Sequence, residues 1–211
     1  MHIDMSENAR LINGEQEIEF PLIIGSEQEV GLDVSKLRAQ TGMITLDEGF
    51  VNTGSTRSAI TFLNGEQGIL RYCGYAIEDI AEKCDFIESA YLLLNGELPN
   101  SEQLSEFRSA IVGEMAIPEG LANIITSFPK DAHPMAVLSA AVNALSTYYQ
   151  DQVDPLDSDQ VKSSVRRLIA TLPTIAAYSH RHATGQKLIT PCPELGYVEN
   201  FLRMMLADEN G

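Results

Sequence analysis

Four histidines, three cysteines and several paired carboxylates are the residues of this 211-residue chain whose types could do chemistry. His180 and His182 stand two apart, a spacing that sends helical side chains to different faces and converges on no metal ion. At the end of a long helical pattern they serve the C-terminal dipole or face solvent. His133 precedes a helix start and reads as a cap or turn residue, and His2 sits at the N-terminus. Cys73, Cys84 and Cys192 are an odd number without ligand spacing, so they read as free, buried thiols of a reducing cytoplasm. Glu78/Asp79 and Glu194/Glu199 read as solvated faces. The sequence holds no phosphate-binding P-loop, no G-x-G-x-x-G turn, no G-x-S-x-G elbow, no C-x-x-C and no H-E-x-x-H. Motifs alone therefore assign no catalytic residue and no metal ligand.

Composition excludes other roles. Fourteen basic against 30 acidic residues give a net charge of −16. Such a surface repels phosphate, which argues against nucleic acid and against an anionic membrane. No run approaches the length of a membrane span, and the N-terminus lacks a basic-then-apolar signal. The expected location is the cytoplasm. At 44% hydrophobic residues the chain can build a sizeable core.

The elements that would position these residues fall into two parts. Residues 1–72 read as a β-rich segment, with one hairpin around Asn13-Gly14 and a second between Ile60–Leu63 and Ile69–Tyr72. A short helix falls within Asp33–Gln40. Residues 73–211 read as helical throughout. Asp85-x-x-Glu88 is a capping box, Gly96 and Pro99 end that helix, and Ser101 and Pro118 open the next two. Around Pro134–Gln150 the rest of the chain is organised: Pro134 suits a first turn, and Ala136, Ser139, Ala140, Ala141 and Ala144 allow close approach on every side. Ser158 caps a long helix to Arg181 whose apolar face is Val161, Val165, Leu168, Ile169, Leu172 and Ala176. Pro173 lies inside it, removes the bond to the Ile169 carbonyl and kinks it. Val198, Phe201, Leu202 and Met205 mark the last helix.

Several stretches taken in order resemble the citrate synthase family. They are Ile60-Thr-Phe-Leu-Asn-Gly-Glu-Gln-Gly-Ile-Leu-Arg-Tyr-Cys-Gly-Tyr-Ala-Ile-Glu-Asp-Ile-Ala81 and Tyr91-Leu-Leu-Leu-Asn-Gly-Glu-Leu-Pro99, then His133-Pro-Met-Ala-Val-Leu, Leu172-Pro-Thr-Ile-Ala-Ala177 and Asn200-Phe-Leu-Arg-Met-Met205. Gly31–Arg38 and Leu46–Phe50 resemble the bacterial branch whose members form hexamers. Cys73 departs from the pattern, standing where the family usually has Arg.

The resemblance implies a mainly α fold: the N-terminal part of a citrate synthase-like helical large domain, preceded by a small β-rich segment. It implies condensation of acetyl-CoA with oxaloacetate to give citrate and CoA, with acetyl-CoA as co-substrate and no resident cofactor or metal. The chemistry uses a carboxylate base and two histidine donors. In the family these lie downstream of the Asn-Phe-Leu-x-Met-Met stretch, and this chain stops at Gly211, so no catalytic residue is assigned and the chain alone is expected to be inactive. A 2-methylcitrate synthase fragment and a non-catalytic, self-associating helical module are the alternatives. The implied partner is a second copy, bound through helices 134–150 and 158–181, within a hexamer in the hexameric branch. Some hexameric members bind NADH through a basic cluster. Gly113, Glu114 and Met115 stand where that cluster would begin and Thr171 where a lysine is usual, so no such site is expected.

Overall fold

The computed structural model describes residues 8–208; His2 lies outside them. The chain divides into two compact units, Met1–Ser58 and Ala59–Gly211. The boundary comes earlier than 72/73 because the second hairpin packs on the helix that follows it and goes with the helical unit.

In the first unit β1 (Asn8–Asn13), β2 (Gln16–Ile24) and β3 (Val30–Leu32) form an antiparallel sheet in chain order. Asn13 pairs with Gln16, so the connection is two residues long, and Gly14 supplies the positive φ of 62° it needs. A short α1 (Leu37–Thr41) follows. Phe20 and Leu37 are its buried apolar residues, while Ile44, Leu46, Phe50 and Val51 stand exposed. The β-rich reading of this segment holds, and β3 had no signal in the sequence.

The second unit begins with β4 (Thr61–Asn64), β5 (Ile69–Tyr72) and β6 (Tyr75–Ala76), again antiparallel in order. Tyr72 pairs with Tyr75 across a two-residue turn. Both turn residues, Cys73 and Gly74, have positive φ, 49° and 91°, as a type I′ turn requires. Seven helices follow: α2 (Ile77–Lys83), α3 (Phe86–Asn95), α4 (Ser101–Gly113), α5 (Glu119–Ser127), α6 (Pro134–Ser146), α7 (Ser158–Thr184) and α8 (Tyr197–Leu206). The Asp85 and Asn100 side chains both close capping boxes, with Glu88 and Gln103. Gly96 ends α3 in the left-handed region at φ 81°.

Three helix readings need correction. The cap of α7 is Asp157, not Ser158: its carboxylate accepts the amides of Asp159 and Gln160 at 2.9 and 3.2 Å. A charged acceptor at a helix N-terminus outdoes a hydroxyl. The helix expected to reach Gln150 stops at Ser146. The hydroxyls of Ser146 and Thr147 donate to carbonyls three residues back, Asn143 and Ala144, at 2.7 Å, which competes with continued helix. The last turn of the long helix runs past Arg181 to Thr184, and Gly185 ends it at φ 72°.

The organising element is α7 rather than α6. One core cluster places Ile175 and Tyr178 of α7 against Leu121, Ile125, Val137, Ala141 and Leu145. Another places Ala170 and Ala177 against Ile87, Ile111, Met115 and Met204. Beside Ile175 and Tyr178, the buried residues of α7 are small or polar: Ala170, Thr171, Pro173, Thr174, Ala177 and Arg181. Helices crowd its C-terminal half from several sides, so small side chains are what fit. The large apolar residues expected to form its core face lie elsewhere: Val161 and Leu168 are exposed, and Val165, Ile169, Leu172 and Ala176 are half-buried. Likewise α6 buries Val137, Ala141 and Leu145, while Ala136, Ser139 and Asn143 remain open.

Candidate functional site

The histidines do not converge. Nδ1 of His133 accepts the Met135 amide at 3.2 Å and caps α6, the role its position suggested. His182 is spent differently from the sequence reading: Nε2 lies 2.8 Å from the Phe128 carbonyl, tying α7 to the end of α5. His180 is half-buried beside it in sequence. Among the described residues no group of His, Cys, Asp and Glu could hold a metal ion. Cys73, Cys84 and Cys192 are free, as expected, but half-exposed rather than buried. Burial and the neighbouring Glu88 and Asp85 carboxylates push the Cys84 thiol up, so Cys84 is a poor nucleophile at neutral pH. The Cys192 thiol donates to Glu194 at 2.9 Å, and Glu194 therefore is not merely a solvated face. Asp79 pairs with Lys83 at 2.6 Å on exposed helix surface.

A cavity of about 390 Å³ lies where α3, α4 and the N-terminus of α8 meet. Phe86 and Tyr197 line it as a parallel stack with ring centroids 5.1 Å apart. Arg108 reaches in from α4, but its guanidinium is committed to the Asp85 carboxylate and lies 3.8 Å from Glu88. An adjoining cavity of about 440 Å³ shares Arg108, Val112 and Gly196. These cavities offer apolar contact and paired charge. They bring together no base and donor set of the kind that proton abstraction needs.

Three polar ties hold this region, and the sequence reading showed none of them. Arg181 is 1% exposed and donates to the carbonyls of Met204, Lys187 and Ala207. An arginine in a late helical turn carries no periodic signal that separates a solvated side chain from a buried clasp. Thr174 Oγ1 donates to the Met115 carbonyl at 2.7 Å. The third tie joins Glu114 to Arg166, at 2.7 Å from Nη2 and 3.0 Å from Nε. Glu114 had been singled out as acidic; its partner lay 52 residues away and could not be read.

The helical body of this chain is similar in fold to solved citrate synthases. The structure of the Pyrobaculum aerophilum enzyme matches 80% of this chain and 46% of its own, at TM-score 0.69 and 30% identity. A Thermoplasma acidophilum citrate synthase, solved as a ternary complex with carboxymethyl coenzyme A and oxaloacetate, matches 78% of this chain at TM-score 0.70 and 26% identity. The family described as "Citrate synthase, C-terminal domain" matches residues 49–210, and this chain belongs to the citrate synthase family. "Citrate synthase 1" of Mycobacterium tuberculosis is 46% identical over 201 residues, 95% of this chain and 47% of the relative. "Citrate synthase" of Corynebacterium glutamicum is 47% identical over 189 residues, 90% of this chain and 43% of the relative. The chain thus spans about half the length of these relatives.

Proposed function

We propose that this chain is the scaffold portion of an enzyme that condenses acetyl-CoA with oxaloacetate to citrate and CoA, and that it forms no citrate by itself. The observation that carries the reading is the 46% identity sustained over 201 residues to a citrate synthase. The condensation needs a base at the acetyl methyl and donors at two carbonyl oxygens, acting together. His133 and His182 are occupied with backbone groups, and no other described histidine joins them. We assign no catalytic residue, no resident cofactor and no metal, and take the cytoplasm as the place of work. A second copy of the chain is the proposed partner, through α6 and α7. The open small-residue face of α6 and the uncovered Val161 and Leu168 of α7 support this. Among the described residues no helix is long and apolar enough to cross a membrane.

Thiol release from acetyl-CoA, with and without oxaloacetate, tests the reading on the purified chain, with propionyl-CoA as a second acyl donor. The expected result is no oxaloacetate-dependent release with either. Release with acetyl-CoA would place catalysis within residues 1–211 and return His133 and His180 to consideration. Release with propionyl-CoA alone would point to 2-methylcitrate chemistry.

A further inference from the structure

Pro173 has no N–H, so the Ile169 carbonyl four residues earlier lacks its intrahelical donor. Its place is taken from outside the helix: the Tyr197 hydroxyl donates to the Ile169 carbonyl at 2.7 Å. Tyr197 is the first residue of α8, and its ring is held by the stack on Phe86. At the other end of α8, Arg181 of α7 donates to the carbonyls of Met204 and Ala207, groups that a helix C-terminus leaves without partners. One tie therefore joins α7 before Pro173 and the other joins it after. The spans agree: 169 to 181 covers about 18 Å of helix and 197 to 207 about 15 Å at 1.5 Å per residue. Thr174, next to Pro173, reaches the Met115 carbonyl and lies 3.6 Å from the Met204 sulfur, so the C-terminal part of α8 also rests on it.

We propose that α8 is a splint across the missing backbone hydrogen bond at Pro173 of α7. Tyr197 is the latch at its first end and Arg181 the clasp at its second. With both ties made, the two halves of α7 move as one rigid rod. With the latch released, α7 flexes at Pro173, and displacement of α8 and bending of α7 become a single event. The Phe86–Tyr197 cavity lies at the latch end, so whatever shifts the tyrosine ring is felt in α7.

Amide hydrogen exchange of the 211-residue chain tests this, read in peptides covering 165–180 for the native chain, Tyr197→Phe, Pro173→Ala and the double variant. Tyr197→Phe keeps the ring and its stack and removes only the donor. It is expected to raise exchange in these peptides about tenfold, the scale of one lost hydrogen bond that leaves a carbonyl unpaired. Pro173→Ala restores the intrahelical N–H, so in that background Tyr197→Phe is expected to change exchange by less than about twofold. Should Tyr197→Phe fail to fold, the double variant is expected to fold where the single does not. Equal effects of Tyr197→Phe in both backgrounds, no effect in the native background, or no rescue of folding by Pro173→Ala would each overturn the splint.

Discussion

Arg166 of α7 sets two nitrogens on one oxygen of Glu114, the residue that closes the C-terminus of α4. The other Glu114 oxygen is buried without a hydrogen-bond partner. This carboxylate therefore depends on a single arginine. Arg166→Ala leaves it partly desolvated and unpaired. Because both side chains keep about a third of their surface exposed, at 36% and 32%, the expected loss is modest, about 1 kcal/mol. Urea denaturation checks it. Arg166→Lys should recover only part of the loss, because an ammonium cannot reproduce the forked contact.

The same pair bears on nucleotide binding. A dinucleotide approaching the Gly113–Met115 segment would meet a carboxylate whose arginine is already engaged. Phosphate groups gain little there, and Thr171 spends its hydroxyl on the Arg167 carbonyl at 2.8 Å. Titration with NADH is expected to give no saturable binding in the micromolar range. A saturable isotherm abolished by substitutions at Glu114 or Thr171 would contradict this.

At the start of α7, Asp157 accepts the Gln160 and Asp159 amides, and these bonds hold its carboxyl below the ordinary 3.8. A depressed folded pKa adds stability that is present above the unfolded value and is lost as pH falls through the folded one. The difference in Tm between the native chain and Asp157→Asn should accordingly shrink as pH drops below about 4. A difference that grows on acidification would refute the cap as the cause.

Local chemistry was legible in the sequence; partners distant along the chain were not. The capping box at Asp85, the Gly96 stop, both hairpins and the His133 cap each depend on residues within a few positions of one another, and each stands where the pattern put it. The face of α7 was misread because periodicity ranks residues by apolarity. Crowding selected Ala170, Thr171, Thr174 and Ala177 for the interior instead, and only the number of helices meeting there explains that choice. For Pro173, the sequence showed which carbonyl would be orphaned but could not show that Tyr197 would satisfy it. Arg181 and Glu114 follow the same rule: their acceptors and donors come from other elements.

Gly120 in α5 faces the Tyr148 hydroxyl so closely that a Cβ there would displace it. In an open helix, Gly→Ala gains about 1 kcal/mol by restricting the unfolded chain and favouring helix. Here part of that gain is offset by moving Tyr148, which is 43% exposed and free to swing aside. Gly120→Ala alone is expected to lie within about 0.5 kcal/mol of the native stability. In a Tyr148→Ala background the full gain should return, a non-additivity that denaturant midpoints would show.

The association proposed for α6 and α7 gives the last expectation. On α6 the core-facing residues are Val137, Ala141 and Leu145. Ala140 and Ala144 lie one turn apart beside them and remain partly open. On α7, Val161 and Leu168 are exposed at 40% and 37%, an apolar row with nothing over it in a single copy. Two copies crossing on these helices would bury the row, and the alanines would let the backbones approach. A glutamate at such a crossing must be desolvated without a partner, at a cost of several kcal/mol. Ala140→Glu or Ala144→Glu should therefore convert a dimer to a monomer in light scattering while circular dichroism stays helical. A monodisperse monomer for the unsubstituted chain would end this proposal outright.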